Sequence, residues 1–277
     1  NKKILLMQGI YSDDELHKAI ELNLDTVIHN KDQFGIIKNN NYFEGLWLKI
    51  NTGMNRLGFE IDDFLNLYNK YLYDKKFILM SHLAASNDIS SLSNKNQFKL
   101  FDSLSEKINK DIKKSIANTG CVMNFPSHTY DWVRCGIGIY GGYFKDTNIK
   151  TAMTLRSPVV NIRKIKKGER VGYDGRAIAK KNMMIATIYL GYADGLPVAI
   201  QDGTEVMIND QIAKVFGRVS MDITTIDVTN LIDCSEGDWC NFFSPKLPVS
   251  NIAKNNDLIS YYFMTSIKSR VKKVYKN

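Results

Sequence analysis

The 277-residue sequence is poor in several features, and each scarcity narrows what the protein can be. No run of about 18 apolar residues occurs, so no membrane-spanning helix is expected. The four cysteines form no Cys-x-x-Cys pair, and no histidine stands at zinc-ligand spacing, which argues against a metal site. The opening letters NKKILLMQG hold too few apolar residues for a signal peptide. We therefore expect a cytoplasmic protein with reduced thiols, no metal and no membrane partner.

Long runs of like charge are also missing, although the formal net charge is +8. Lysines are spread along the chain, and the longest basic runs, RKIKKGER and SRVKKVYKN, are short. A nucleic-acid binder usually gathers its cations on one face and interleaves aromatic side chains. A solvated basic surface explains the pattern better, so nucleic acid is not an expected partner.

The first half of the chain alternates short apolar runs with amphipathic stretches. Helical periodicity recurs at 12–24, 60–72 and 93–110. The apolar runs that predict strands are 3–9, 25–30, 46–51, 77–84, 115–119 and 132–141. Strand–helix units repeated in this way indicate an α/β fold with a parallel sheet. The count reaches six strands, whereas a closed (β/α)8-type barrel has eight.

From about residue 150 the pattern changes to short β-branched segments broken by Gly, Asp and Asn. Turn signals every 8–12 residues are typical of an all-β domain. The sequence thus predicts two domains, an incomplete (β/α) barrel over 1–148 and a β-rich domain over 149–277. The last segment, YYFMTSIKSRVKKVYK, fits either a short helix or a strand.

Polar residues follow four successive predicted strands of the first half. In a parallel barrel the functional groups stand at these carboxyl-terminal strand ends. Together the side chains describe an electropositive mouth suited to an anion, and the bare N–H groups beside the glycines suit a phosphate. The glycines also fit simple turns. The residues concerned are Lys49, Arg56, His82, Asn118, Thr119, Arg134 and Gly136.

Two further motifs, GYADG and GRVSMD, place polar residues on glycine-flanked turns of the second half. The first carries Tyr192 and Asp194, and the second carries Met221 and Asp222. A tyrosine in such a position is more often structural than catalytic when it is considered alone.

Taken together these stretches resemble the alanine racemase family. The most specific of them are TGMNRLGF, GYADG and GRVSMD, and other matches such as DWVRCGIGIYG follow the family's order along nearly the whole chain. The resemblance implies an isomerase with pyridoxal 5'-phosphate as cofactor, which interconverts L-alanine and D-alanine for peptidoglycan synthesis. It also implies a TIM-like barrel followed by a β-domain, and a homodimer with shared active sites.

The resemblance assigns roles by position. Arg134 is similar to the arginine that faces the cofactor's pyridine nitrogen, His82 to the histidine behind it, and Tyr192 to the base on L-alanine's face. Arg56 and the backbone of Met221 match the groups that hold the substrate carboxylate. The remaining matches are Lys49 as a possible carbamyl-lysine, and Thr119, Gly136, Ile137 and Tyr261 as phosphate-binding residues.

One part of the family's pattern has no counterpart in these residues. The resemblance implies two bases on opposite faces of the substrate, Tyr192 and the lysine that forms the Schiff base. In the family that lysine lies in a stretch like AVVKANAYGHG on the first barrel strand, and no such stretch occurs here. We therefore expect an N-terminally truncated chain that lacks its first barrel strands and is inactive alone. Two alternatives stay open: a racemase of another small amino acid such as serine, and a non-catalytic remnant.

Overall fold

The computed structural model describes residues 2–143 and 149–275, and the chain forms two compact units. The first unit is Asn1–Gly136 and the second is Ile137–Asn277. The domain boundary predicted at 148 falls within 144–148, outside the described residues, and it stays a prediction.

The first unit is built on a sheet of five parallel strands, in which each strand pairs with the next one along the chain. The strands are β1 (Ile4–Leu6), β2 (Leu24–Ile28), β3 (Leu46–Lys49), β4 (Ile78–Met80) and β5 (Lys113–Ser115). Helices connect them, namely α1 (Asp13–Glu21), α2 (Lys31–Asn39), α3 (Ile61–Leu67) and α4 (Leu92–Ser105). A π-helical turn, Tyr68–Leu72, extends α3. All strand carboxyl ends therefore lie at one edge of this sheet.

The helices begin where the sequence supplies caps, and their apolar faces cover the sheet. Ser12 accepts a hydrogen bond from the backbone N–H of Glu15 at the start of α1, and Asn30 accepts one from Gln33 at the start of α2. All four residues of β3 are buried, as expected for a strand covered on both faces. Phe64 and Phe101 are fully buried in the core that the helices and the sheet share.

Two strand predictions in the first unit are wrong. The run 132–141 makes no regular strand: Arg134 forms an isolated bridge with Asn118, and Gly136–Ile139 is the short helix α6. The strand predicted at 115–119 ends at Ser115. Asn118 caps the helix α5 (Thr119–Asn124) by accepting a hydrogen bond from the backbone N–H of Cys121, and this cap ends the extended stretch.

The second unit contains a closed barrel with the strand order β10-β11-β12-β9-β6-β13. Its strands are β6 (Leu155–Ile165), β9 (Met183–Ile188), β10 (Glu205–Ile208), β11 (Gln211–Val215), β12 (Thr224–Asp227) and β13 (Trp239–Phe243). Beside it lie a two-stranded ribbon and two helices: β7 (Arg170–Val171), β8 (Ala177–Ile178), α7 (Val249–Asn255) and α8 (Ser260–Thr265). The final segment, ambiguous in the sequence, thus begins as a helix.

The second unit has its own core, which the barrel and α8 share and in which Ile188, Ile226, Phe242 and Phe263 are fully buried. A parallel β/α unit followed by a mainly-β domain confirms the predicted fold class. No helix within residues 2–143 and 149–275 is both long enough and apolar enough to span a bilayer.

Candidate active site

A loop closed on itself follows β3 in the first unit and carries the predicted pair Lys49 and Arg56. The backbone N–H of Phe59 donates to the carbonyl of Lys49 at 2.8 Å, and that of Asn51 donates to the carbonyl of Phe59 at 2.9 Å. Gly58 closes the loop with φ +128°, where a Cβ would stand 2.5 Å from the Asn51 nitrogen. Only glycine fits there, so the sequence NRLGF returns the chain past the end of β3.

The ammonium of Lys49 is held in a place that disfavours its charge. The residue is 7% exposed at the end of β3. Burial lowers the pKa of Lys49, and the positive charges of Arg56 and Arg134 lower this pKa further. The three predicted cations therefore lie near one another, and a single negative charge among them would relieve their repulsion.

Arg134 is fixed by two residues that follow β4 and by the last residue of β5. One terminal nitrogen, Nη2, lies 2.6 Å from the carbonyl oxygen of Ser81 and 3.3 Å from Nδ1 of His82, and the other terminal nitrogen, Nη1, donates to the hydroxyl of Ser115. Burial lowers the pKa of Arg134 to about 10, so the guanidinium stays charged near neutral pH. Its Nε is buried and has no hydrogen-bond partner among the described residues. One N–H of a fixed cation is thus left for a ligand.

His82 stands behind Arg134 as a neutral imidazole. Burial lowers the pKa of His82 to about 4, and the charges of Arg134, Lys49 and Arg56 act in the same direction. Because the guanidinium only donates, Nδ1 of His82 is assigned as the acceptor and Nε2 as the protonated nitrogen. The imidazole therefore orients Arg134 and adds no charge to the site.

Thr119 and Gly136 follow two segments that run side by side. Asn118 and Arg134 pair as a parallel bridge, so the residues after them leave the same edge of the first unit. Thr119 is buried at the start of α5. A Cβ on Gly120 would lie 2.5 Å from the Ser86 hydroxyl oxygen, so a side chain at Gly120 would fill this edge.

Tyr192 and Met221 are held together by backbone hydrogen bonds in the second unit. The N–H of Tyr192 donates to the carbonyl of Ser220 at 3.0 Å, and that of Ala193 donates to the carbonyl of Met221 at 2.9 Å. A Cβ on Gly191 would overlap the Met221 carbonyl. Both motifs found in the sequence, GYADG and GRVSMD, therefore form one backbone contact that requires glycine.

An arginine ties these two loops together from outside. Arg270 Nε lies 2.8 Å from the carboxylate of Asp194, and its Nη2 lies 2.6 Å from that of Asp222. Asp194 also accepts a hydrogen bond from the backbone N–H of Gly191 at 2.8 Å. Asp194 thus closes the turn that holds Tyr192, and Arg270 links this turn to the loop of Met221 through Asp222.

Ile137 and Ser260, the residue before Tyr261, both lie close to Gly142 in the second unit. The Ser260 hydroxyl donates to the carbonyl of Gly142 at 2.7 Å. A Cβ on Gly142 would lie 2.6 Å from Cδ1 of Ile137 and 2.9 Å from Cβ of Ser260. At the other end of α8 the Ser266 hydroxyl donates to the carbonyl of Gly195. Helix α8 therefore runs from the Ile137 segment to the Tyr192 turn.

The predicted site residues fall into two groups, one in each unit. The first unit holds Lys49, Arg56, His82, Thr119, Arg134 and Gly136, and the second holds Ile137, Tyr192, Met221 and Tyr261. Sequence reasoning missed the two serines that accept hydrogen bonds from Arg134, Ser81 through its carbonyl and Ser115 through its hydroxyl. It also missed Arg270, which links two loops of the second unit. Nothing local marks these residues, because each meets its partner from a distant part of the chain.

Comparison with known families covers nearly the whole chain. Residues 1–144 match the family model described as alanine racemase, N-terminal domain. Residues 152–275 match the model described as alanine racemase, C-terminal domain. Among curated proteins, an alanine racemase of Vesicomyosocius okutanii is 38% identical over 98% of this chain and 78% of its own length. An alanine racemase of Alteromonas mediterranea is 34% identical over 99% of this chain and 78% of its own length.

Solved structures agree with these matches. The biosynthetic alanine racemase of Pseudomonas aeruginosa superposes with a TM-score of 0.94 at 28% identity, over 100% of this chain and 80% of its own. An alanine racemase of Bartonella henselae, described with covalently bound pyridoxal phosphate, gives a TM-score of 0.87 at 25% identity over 100% of this chain and 79% of its own.

Proposed function

Because the chain belongs to the alanine racemase family, we infer that it interconverts L-alanine and D-alanine, with pyridoxal 5'-phosphate as cofactor, to supply D-alanine for peptidoglycan. The alternatives of a racemase for serine or a non-catalytic remnant are not favoured, since the similar curated proteins are alanine racemases. The observation in this chain that carries the proposal is the buried Arg134, whose Nε is left without a partner among the described residues.

The first unit fits the cofactor in its donor set. Arg134 would hold the pyridine nitrogen through its Nε hydrogen, with His82 behind it. Thr119 and Gly136 in the first unit, and Ile137 and Tyr261 in the second, are the proposed phosphate-binding residues. The cofactor supplies an electrophilic carbonyl and an electron-withdrawing ring, which make the Cα–H of a bound amino acid acidic.

The permanent charge of Arg134 sets the electronic state of that ring. With a pKa of about 10 for its guanidinium, Arg134 is a cation at neutral pH. Protonation of a pyridine nitrogen in hydrogen-bond contact with Arg134 would place two positive charges together, which is unfavourable. Arg134 would therefore keep the nitrogen unprotonated, and this would restrain side reactions that need a strongly electron-withdrawing ring.

Arg56, Met221 and Tyr192 are the residues proposed to act on the substrate. Arg56 is an exposed guanidinium at the loop after β3, suited to bind a carboxylate through two parallel N–H groups. The backbone of Met221 would hold the same carboxylate. Tyr192 would remove the Cα proton on the L-face and return it there in the reverse direction.

Lys49 is proposed to carry a carbamate, formed when its neutral amine adds CO2 and releases one proton. The lowered pKa of Lys49 makes the neutral amine more available, and the product places an anion near Arg56 and Arg134. We expect a carbamate carbon signal by NMR after adding 13C-bicarbonate to the holoenzyme. The signal should weaken as pH falls, because protonation of the amine removes the nucleophile.

The Lys49→Gln variant should lose this carbamate signal and racemise roughly tenfold more slowly, since Arg56 loses the anion that orients it. Lys31→Gln is the matched control, because Lys31 is an exposed lysine paired with Asp63. A signal that persists in Lys49→Gln, or vanishes in Lys31→Gln, rules out carbamylation of Lys49.

Assembly and location are also proposed from the family. We propose a homodimer in which the second unit of one copy serves the partner's active site. In support, Tyr192 is 37% exposed, Tyr261 42% and Met221 53%, although all three belong to the proposed site. Sedimentation as a monomer at micromolar concentration would refute this. We also propose a cytoplasmic location, which suits the four free cysteines and is checked by cell fractionation.

The experiment that tests the function uses the protein as its gene encodes it, including any residues before Asn1. The purified protein is loaded with pyridoxal phosphate and given L-alanine, and D-alanine is measured with a D-amino-acid oxidase. Conversion in both directions, with serine a much poorer substrate, is the expected result. A loaded, folded protein that produces no D-alanine would overturn the proposed function.

A further inference from the structure

Gln97 lies in the middle of α4, and its amide is buried. The residue is 1% exposed. A buried amide costs free energy unless its donors and acceptor are paired. The partners of Gln97 therefore indicate why a polar side chain stands at this position in the core.

The amide of Gln97 joins backbone groups on both sides of Leu83. Its Oε1 accepts from the N–H of Ala84 at 2.9 Å, and its Nε2 donates to the carbonyl of His82 at 2.8 Å. A backbone N–H only donates and a carbonyl only accepts, so the orientation of the amide is fixed. Gln97 thus holds the backbone directly after His82, from the His82 carbonyl to the Ala84 N–H.

The same Nε2 reaches the loop after β3. It lies 3.1 Å from the hydroxyl oxygen of Thr52, which is 2.7 Å from the hydroxyl of Ser81. The Ser81 hydroxyl donates its hydrogen to the carbonyl of Ile50 at 2.9 Å. Thr52 must therefore donate to Ser81 and accept from Gln97. The hydrogen bonds therefore form a chain that runs in one direction, from Gln97 to Thr52, to Ser81 and to the Ile50 carbonyl, and each hydroxyl both donates and accepts one.

This chain connects two segments that carry proposed site residues. Thr52 belongs to the loop that carries Arg56, and Cγ of Gln97 would be the nearest atom, at 3.6 Å, to a Cβ on Gly53 in that loop. The carbonyl of Ser81 and the ring of His82 both contact Arg134. One buried side chain from α4 therefore meets the Arg56 loop and the support of Arg134 at once.

We propose that Gln97 is a positioning residue for racemisation, which sets Arg56 relative to Arg134 through Thr52 and the His82 backbone. The proposal rests on the function given above, in which Arg56 binds the substrate carboxylate. A side chain that couples two strand-end segments transmits any displacement to both of them. Loss of Gln97 should therefore weaken carboxylate binding and slow turnover together, beyond its effect on stability.

The test compares Gln97→Met with Gln33→Met in the holoenzyme. Gln33 is the matched control: it lies in α2, is also 1% exposed, and bonds the N–H of His29 and the carbonyl of Gln8. Both variants lose a buried amide in the same unit, so a similar fall in unfolding temperature is expected. Binding of propionate, a carboxylate that cannot racemise, is measured by calorimetry alongside kcat and KM for L-alanine.

In Gln97→Met we expect propionate affinity and kcat/KM to fall roughly 10- to 100-fold, as for a site displaced by about 1 Å. In Gln33→Met both should stay within about twofold of wild type once corrected for folded protein. Equal losses in the two variants would show that Gln97 is only structural. If wild type itself does not racemise alanine, the proposed function fails instead, which is a separate outcome.

A second variant keeps the proposal testable if Gln97→Met folds poorly. Thr52→Val removes the hydrogen bonds that Thr52 makes to Gln97 and to Ser81, and it leaves the bonds of Gln97 to His82 and Ala84 in place. We expect propionate affinity to fall and KM to rise about tenfold, with kcat nearly unchanged, because binding of the substrate and of the transition state should weaken equally. A variant with unchanged propionate affinity would overturn the coupling through Thr52.

Discussion

Tyr192→Phe is expected to reduce racemisation of L-alanine roughly 100- to 10,000-fold, the range for loss of a positioned general base. The change removes one hydroxyl oxygen and keeps the ring, so the turn that carries it should persist. That turn is fixed by backbone hydrogen bonds from Tyr192 to Ser220 and from Ala193 to Met221, and neither uses the phenol. The unfolding temperature should therefore stay close to that of wild type.

The direction of the loss distinguishes a base from a binding residue. In D2O, the wild-type enzyme should exchange the Cα hydrogen of both alanine enantiomers. With Tyr192→Phe, exchange from L-alanine should nearly cease, while D-alanine should still exchange without racemising through the second base of the family's mechanism. A binding residue would slow both exchanges alike.

Tyr189→Phe is the matched control for this experiment. Tyr189 stands three residues earlier, is 57% exposed, and likewise loses only a phenol oxygen. Its activity should remain within about twofold of wild type, as for surface changes away from a site. If Tyr192→Phe retains more than a tenth of the activity, or loses both exchanges equally, Tyr192 is not the base on L-alanine's face.

The sequence predicted strands where apolar runs stand alone and failed where a cap intervened. The runs behind β1 to β4 are β-branched or leucine-rich and end at polar residues, so local pattern was sufficient. Asn118 stopped the next strand early, because its side chain bonds the N–H of Cys121 and starts α5. After Arg134, the glycines at 136 and 138 lie in a helical turn where the apolar pattern favoured a strand.

Only the basic residues of the proposed site could be predicted from the sequence. Lys49, Arg56, His82 and Arg134 follow strand ends or lie in specific motifs, and the structure brings them near one another. The residues that position these side chains could not be predicted in the same way. Gln97 has the helical period of a core position and nothing that marks its amide as the link between two distant loops. Such partners depend on tertiary contacts, which no local pattern encodes.

Arg134→Met is expected to lower racemisation roughly 100-fold or more, the range for removing a preorganised charged donor from an active site. Its effect on stability should be much smaller. Methionine leaves the Ser81 carbonyl, the His82 ring and the Ser115 hydroxyl without their donor, at about 1–3 kcal/mol for each group that stays buried. It also removes a cation whose pKa burial has lowered to about 10. Desolvation of such a charge costs on the order of several kcal/mol, so its removal largely cancels that loss.

A loss of activity without a matching loss of stability would show that Arg134 serves the reaction. No carboxylate pairs with its guanidinium among residues 2–143 and 149–275, so the fold keeps a desolvated charge without the compensation that structural arginines usually have. Arg134→Lys should fail almost as badly as methionine, because an ammonium has no planar fork to reach Ser81, Ser115 and a ligand together. We expect unfolding temperatures of the cofactor-free variants within a few degrees of wild type. A methionine variant that unfolds far earlier, or that keeps a tenth of the activity, would make Arg134 a structural residue and leave the pyridine nitrogen to another donor.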